Sequence, residues 1–186
     1  SPQLVRDICK SNFTQIPEIF DKAGNYKWQN FDQFLRIYEI VTNLFLEEKN
    51  FEALIRHVLD KQVKENVLYS EIFLGPHLWS DTPSNRWERF LEIASKAAVE
   101  YKNKYGIHTY FIIVCIRHLG PEKALEASKF ASKAKSYNVV GFGMAGDEKK
   151  FNTLDFMESF NFAMNSGLGI TTHAGEICGC LLYTSP

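Results

Sequence analysis

The chain has 186 residues, of which 45% are hydrophobic and 23% charged, and its formal net charge is -1. This length allows one sizeable domain with a hydrophobic core, and the composition is that of an ordinary globular protein. The near-neutral charge leaves no electrostatic footprint for nucleic acid or an anionic membrane. No apolar run approaches the roughly 20 residues of a bilayer-spanning helix, and the first residues lack the pattern of a signal peptide. We therefore expect a cytoplasmic protein with no nucleic-acid or membrane partner.

Three helices are predicted before residue 66. A Ser-Pro pair predicts the first over residues 1–12, because serine caps a helix and proline suits its first turn. Asn30 and Gln33 form an amide variant of the capping box and predict the second, and a third is predicted over residues 50–65. The second helix has an apolar stripe at a spacing that most often indicates core packing: Phe31, Phe34, Leu35, Tyr38, Thr42 and Phe45.

The rest of the chain alternates between short β-branched or aromatic segments and helical ones. This alternation is typical of an α/β fold with a parallel sheet and crossover helices. A doubly wound sheet and a (β/α)8 barrel both fit it, and a complete barrel takes about 250 residues, so only about half a barrel would be present. The predicted strands are 67–74, 107–116, 138–142 and 169–173, and the predicted helices are 84–105, 120–136 and 153–165.

Polar residues and glycines follow each predicted strand. In parallel α/β folds the carboxyl ends of the strands lie at one face, and ligands bind there. Four segments therefore predict an active-site rim: Gly75–His77, Arg117–His118, Gly143–Glu148 and His173–Glu176.

The segment Gly141–Gly146 matches G-x-G-x-x-G after a predicted strand. A dinucleotide site requires this motif to open a helix, whereas here Asp147 and Glu148 follow and place carboxylates where phosphates would lie. Dinucleotide binding is therefore disfavoured. The glycines fit a tight turn, or a backbone left bare so that a planar ligand can approach it, and we favour the second interpretation.

His173 and Glu176 end the last predicted strand, with a glycine between them. A histidine in this place can bind a metal through a ring nitrogen, and the glutamate can move a proton in the same pocket. The alternative is a histidine hydrogen-bonded in the core. Cys178 and Cys180 form a C-x-C pair without the second pair of a structural zinc site.

Together these segments resemble the adenosine/AMP deaminase family, and their sequences look most like those of its bacterial members. The match covers residues 1–176, and its most specific parts are Thr172–Glu176, which looks like the family's HAGE motif, and Gly141–Glu148, which looks like its AGDE motif. Cys115–His118 and Tyr69–Ile72 support it. The resemblance implies a partial (β/α)8 TIM barrel with parallel strands and crossover helices, roughly the first half and without the first strand.

The same resemblance implies roles for individual residues. His173 would bind Zn²⁺, and Glu176 would be the catalytic acid that protonates purine N1 as hydroxide attacks C6. Gly146 would present its backbone to purine N3. The other substrate-binding residues would be four on a lid helix and two lining the pocket: Phe31, Phe34, Leu35, Tyr38, Ile116 and His118.

The implied activity is that of an aminohydrolase acting on a cyclic amidine. It would convert adenosine or 2′-deoxyadenosine, as a free small molecule, to inosine or its deoxy analogue plus ammonia. One alternative is a deaminase of adenine or of a modified adenine nucleoside. Another is a non-catalytic α/β fragment in which His173 is structural. The oligomeric state is left open.

Two features depart from the family pattern. The H-x-H pair of the family's first strand is absent, as are its later zinc-binding histidine and aspartate, so one ligand remains where catalytic zinc normally takes about three from the protein. The tail Ile177–Pro186 does not resemble the family and is expected to be foreign. We therefore expect a fragment, truncated at both ends, that alone is inactive and poorly stable because its outer strands have unpaired edges.

Overall fold

The computed structural model describes residues 1–11, 19–80 and 83–176, and the chain divides into two compact units, residues 1–65 and 66–186. No helix in these described ranges is long and apolar enough to cross a bilayer. The α-helices and β-strands, in chain order, are α1 (Pro2–Ser11), α2 (Phe31–Asn43), α3 (Glu48–Lys64), β1 (Tyr69–Leu74), α4 (Asn85–Tyr105), β2 (His108–Ile116), α5 (Pro121–Lys133), β3 (Val139–Ala145), α6 (Met157–Asn165) and β4 (Gly169–Thr172).

The first unit has a small apolar core around α1. Val5 and Ile8 of that helix are buried together with Phe45, and partly buried side chains from α2 and α3 pack against them. The hydroxyl of Ser1 accepts a hydrogen bond from the backbone N–H of Leu4 at 3.4 Å, which confirms the predicted helix start. The core thus joins residues from both ends of the unit.

The predicted cap of α2 is half confirmed. The side chain of Asn30 accepts a hydrogen bond from the backbone N–H of Gln33 at 3.0 Å. The side chain of Gln33 accepts from the N–H of Gln29 at 2.9 Å, whereas a reciprocal capping box would use the N–H of Asn30. The start of the helix is therefore as predicted, and the second bond is displaced by one residue.

The second unit contains a four-stranded parallel sheet in the order β1-β2-β3-β4. A doubly wound sheet reverses its strand order at a switch point, whereas each strand of a barrel pairs with its neighbour in sequence. The unbroken order is that of a barrel wall, so the doubly wound alternative is wrong. The strands agree with the prediction except that β3 continues to Ala145, three residues beyond the predicted end.

One face of the sheet is covered by helices. α4 and α5 pack on β2, and both helices bury alanines, which let the helix backbones come close to the strands. Tyr69, Glu71 and Phe73, which alternate along β1, remain exposed on the other face. The fully buried large side chains of this unit include Trp87, Phe90, Leu91, Phe111, Ile113, Phe142, Met144 and Phe156.

Cys115 is fully buried in β2, as predicted for a small hydrophobic residue. Burial raises the pKa of its thiol to about 12. Because the thiolate is the reactive form, we expect Cys115 to resist iodoacetamide at about pH 8 while the partly exposed Cys9 reacts. Mass mapping of peptides from the folded and the urea-unfolded chain measures this. Equal labelling of the two cysteines in the folded chain would contradict the burial of Cys115.

Candidate active site

Ile116, His118 and Gly146 lie together where β2 and β3 end. Gly146 has a φ of +104°, and a Cβ atom there would lie 2.9 Å from His118 Nδ1 and 3.3 Å from Ile116 Cγ2. The backbone N–H of Asp147 donates a hydrogen bond to His118 Nδ1 at 3.4 Å. The structure therefore brings three predicted substrate-binding residues into one cluster, and both the φ angle and the close contact favour glycine at position 146.

His173 follows β4 and is hydrogen-bonded to β3. Its backbone N–H donates to the carbonyl oxygen of Met144 at 2.9 Å, and its ring Nδ1 lies 3.1 Å from the same oxygen. Because a carbonyl oxygen only accepts hydrogen bonds, Nδ1 carries a proton, and in the neutral ring Nε2 then retains its lone pair. Metal-binding histidines are commonly oriented in this way, with one nitrogen on a backbone carbonyl and the other on the metal.

His173 and Glu176 are both exposed at the end of β4. Gly175, with a φ of +81°, precedes the glutamate and turns the chain. The exposure of His173 does not agree with a histidine buried in the core. A ligand can therefore reach both side chains that the sequence selects for chemistry.

His77 was predicted for the rim, and its placement there is wrong. The residue lies in a short 3-10 turn after β1, and its side chain is fully buried. The imidazole Nε2 lies 3.2 Å from Glu126 Oε2, and the ring makes an edge contact with Trp87 at a centroid distance of 4.6 Å. The 3-10 turn directs His77 into the helix layer, away from the carboxyl ends of the strands.

The carboxylate of Glu126 also accepts a hydrogen bond from Lys123 Nζ at 3.0 Å. Desolvation opposes ionisation of this carboxylate, but the hydrogen bonds from Lys123 and His77 outweigh it and lower the pKa of Glu126. The group therefore links the 3-10 turn after β1 to the first half of α5.

Arg117, a second residue predicted for the rim, is buried. Its guanidinium lies over the ring of Phe156, 5.8 Å from the ring centroid. Of the pair that follows β2, only His118 remains exposed at the rim. Only the tertiary fold shows which of the two is buried, because both residues are polar and they are adjacent in sequence.

Gly141 and Gly143 lie inside β3, so the prediction that the loop begins at Gly143 is wrong. A Cβ atom at Gly143 would lie 2.5 Å from the carbonyl oxygen of Thr171, and one at Gly141 would lie 3.2 Å from that of Gly169. These two glycines therefore allow β3 and β4 to approach closely. The G-x-G-x-x-G motif opens no helix, so the structure does not agree with a dinucleotide site. Of its glycines, only Gly146 lies beyond the strand, where a tight turn or a bare backbone facing a ligand is possible.

The apolar stripe of α2 lies in the first unit, and no residue of α2 is buried. Phe34 contacts the rings of Trp28, Phe31 and Tyr38 at centroid distances of 5.3, 5.7 and 6.1 Å. Leu35 is half-buried, and Tyr38 is 48% exposed. Packing in a buried core therefore accounts for Phe45, the last residue of the stripe, and not for the aromatic residues of α2 itself. Its role as a lid over the substrate stays a prediction.

The residues that the structure describes do not form a complete metal site. Within residues 1–11, 19–80 and 83–176, no three His, Cys, Asp or Glu side chains are grouped so that they could hold a metal ion. His173 fits one ligand position, by its exposure and by its tautomer. Cys178, Cys180 and the whole tail Ile177–Pro186 lie outside the described residues.

The sequential order of the parallel strands, with helices packed on the sheet, is that of an α/β-barrel protein. An adenine deaminase from Arthrobacter aurescens has a similar fold, with a TM-score of 0.82 and 20% identity over 99% of this chain and 56% of that one. An N6-mAMP deaminase from Arabidopsis has a TM-score of 0.75 at 17% identity, over 98% of this chain and 56% of that one. An amidohydrolase from Burkholderia ambifaria with bound Zn has a TM-score of 0.68 at 16% identity, over 94% of this chain and 48% of that one. The fold is a partial TIM barrel, as predicted.

The family model described as adenosine deaminase matches residues 1–182, and the chain belongs to this family, which confirms the resemblance. The adenine deaminase of Agrobacterium fabrum is 32% identical over 160 residues, which are 86% of this chain and 49% of that protein. The adenine deaminase of Mesorhizobium japonicum is 33% identical over 181 residues, 96% of this chain and 55% of that protein. The chain thus spans about half the length of the curated relatives it matches.

Proposed function

We propose that the protein containing this chain deaminates a free 6-aminopurine by hydrolysis and that the chain supplies about half of the active site. The observation that supports this best is His173, which is exposed at the strand ends with Nδ1 bound to the carbonyl of Met144 and Nε2 available. Because the chain belongs to the adenosine deaminase family, we interpret this histidine as a metal ligand of a deaminase. The proposal includes Zn²⁺ as cofactor and a cytoplasmic location.

Five residues at the strand ends would have parts in this reaction. His173 would supply one zinc ligand through Nε2, and the ion, when bound, lowers the pKa of water so that a nucleophile is available near neutral pH. Glu176, exposed beyond Gly175, would carry a proton to a purine ring nitrogen and so polarise the carbon that bears the amino group. Gly146 would present bare backbone to the purine beside Ile116 and His118.

The substrate to test first is adenine. The relatives compared above are named adenine deaminases, whereas the motif resemblance alone implied adenosine and 2′-deoxyadenosine. A modified adenine nucleotide is the third class, because a similar solved structure is an N6-mAMP deaminase. All three share the 6-aminopurine ring and differ at the exocyclic nitrogen or at N9.

We expect the zinc-loaded full-length protein to release ammonia from adenine, with hypoxanthine as product, and to act more slowly on adenosine. Chromatography of the purines and an ammonia assay measure both. The 186-residue chain with added zinc is the matched control and is expected to show no turnover, because it lacks the other ligands. Turnover by this chain would overturn the assignment of a half site. No ammonia from adenine or adenosine, and no methylamine from an N6-methylated adenine nucleotide, with the full-length protein would overturn the proposed activity.

A further inference from the structure

We propose that Phe73 is a positioning residue that holds the imidazole of His173 in the tautomer whose Nε2 can bind a ligand. The identity of that ligand as a metal rests on the proposed function. The orientation of the ring does not, because it follows from contacts within this chain.

Phe73 lies on β1 and His173 follows β4, so the two residues come from the outermost strands of the sheet. Three strand spacings separate these strands, or about 14 Å in a flat sheet. The ring centroids of Phe73 and His173 are nevertheless 5.1 Å apart, with an angle of 60° between the ring planes. The sheet therefore curves enough for the two side chains to meet across β2 and β3.

Glycine in β3 leaves room for this contact. The strand register places Phe73 beside Ile112 and Ile112 beside Gly141, so these three residues share a face of the sheet. Gly143 is two residues further along β3 and belongs to the same face. Because neither glycine has a side chain, less bulk lies between the outer strands. The glycine pair thus adds no side chain of its own to the space between Phe73 and His173.

The contact favours one tautomer by stabilising the imidazole in the position where Nδ1 faces the Met144 carbonyl. His173 Nδ1 lies 3.1 Å from the carbonyl oxygen of Met144 in one ring orientation, and a half-turn of the ring would move this nitrogen away. Phe73 packs against the ring in the first orientation and stabilises this position relative to those in which the ring has swung away from the carbonyl. A neutral imidazole in water favours the Nε2–H form, in which Nε2 has no lone pair for a metal. Phe73 and the Met144 carbonyl together reverse this preference.

Two-bond ¹H–¹⁵N correlation spectra of the metal-free full-length protein, labelled at histidine, test the proposal. The signal of His173 is assigned by its loss in His173→Gln, and the tautomer is read from the ¹⁵N shifts of the neutral ring. We expect mainly the Nδ1–H form. In Phe73→Ala the ratio of Nδ1–H to Nε2–H is expected to fall about fivefold, as for the loss of one hydrogen bond of ordinary net strength. Zinc affinity, measured by competition with a chelator, is expected to fall about tenfold or more.

Three further variants separate positioning from stability. Phe73→Tyr retains the ring and is expected to keep the Nδ1–H form, and Phe73→Leu retains apolar bulk without a flat ring and is expected to lose much of it. Tyr69→Ala is the matched control, since Tyr69 lies on the same strand and face but packs against Tyr110, at 5.5 Å between centroids. Any one of three results would overturn the proposal. The wild type could show mainly the Nε2–H form, the ratio could stay unchanged in both Phe73→Ala and Phe73→Leu, or the ratio could change equally in Tyr69→Ala. Failure of deamination with the expected tautomer would overturn the proposed function alone.

Discussion

Replacing Glu176 by glutamine in the full-length protein is expected to lower kcat for purine deamination by on the order of 10²- to 10⁴-fold, the usual contribution of a general acid. Glutamine has nearly the same shape and cannot transfer the proton. Because Glu176 is proposed to act on the substrate and not on the metal, the zinc content should stay unchanged. Steady-state kinetics with adenine, together with metal analysis of the same preparation, measures both quantities.

Glu158→Gln provides the control for this experiment. Glu158 is an exposed glutamate in the first turn of α6, and its replacement is expected to leave kcat within about twofold, as for surface substitutions generally. His173→Ala should lose zinc as well as activity, which distinguishes a ligand from a proton carrier. A Glu176→Gln protein with wild-type kcat would remove the assigned role of this carboxylate.

Replacing Gly143 by alanine is expected to have the largest effect on stability. The added Cβ would lie 2.5 Å from the carbonyl oxygen of Thr171, and this atom belongs to the backbone of β4, so it cannot move as a flexible side chain does. Either β3 and β4 separate or their register is disturbed. We expect the free energy of unfolding to fall by at least about 1–3 kcal/mol, as for other overpacked sites. Urea denaturation of the full-length protein measures the change.

The matched substitution is Gly169→Ala in the neighbouring strand. Its Cβ would lie 3.5 Å from the carbonyl oxygen of Val140, an ordinary van der Waals distance. This variant is expected to be neutral or slightly stabilised, because alanine restricts the unfolded chain more than glycine does. If the two variants unfold at the same urea concentration, the close approach of β3 and β4 at Gly143 is not what requires glycine there.

Local signals were sufficient to predict most of the fold. The Asn30 cap, the long amphipathic segment of α4 and the β-branched run of β2 each depend on residues close in sequence, and the structure confirms all three elements. The end of β3 was missed because glycines usually indicate a turn. Here Gly143 belongs to a strand, and the reason lies in the backbone of β4, nearly thirty residues further along the chain. The capping box of Asn152 with Asp155 was also missed, although its spacing is visible in the sequence.

The candidate site was predicted less completely than the fold. Ile116, His118 and Gly146 lie together because each is within two residues of the end of a strand, and their roles toward a substrate stay predictions. The burial of His77 was not predictable from its Gly-Pro turn, since it depends on Trp87 and Glu126, which come from two different helices. Phe73 gave no signal either. An exposed aromatic residue in an alternating strand is ordinary, and only the curvature of the sheet brings it to His173.

The sequential strand order also affects how the sheet acquires its structure. Each strand pairs with the strand that precedes it in the chain, for example Tyr69 with His108 and Gly141 with Gly169. These are among the shortest loop closures that parallel pairing allows, so the entropic cost of each closure is modest. Synthesis delivers the segments in the order in which they pair. Each new helix and strand can therefore dock on an edge that is already formed as the chain leaves the ribosome.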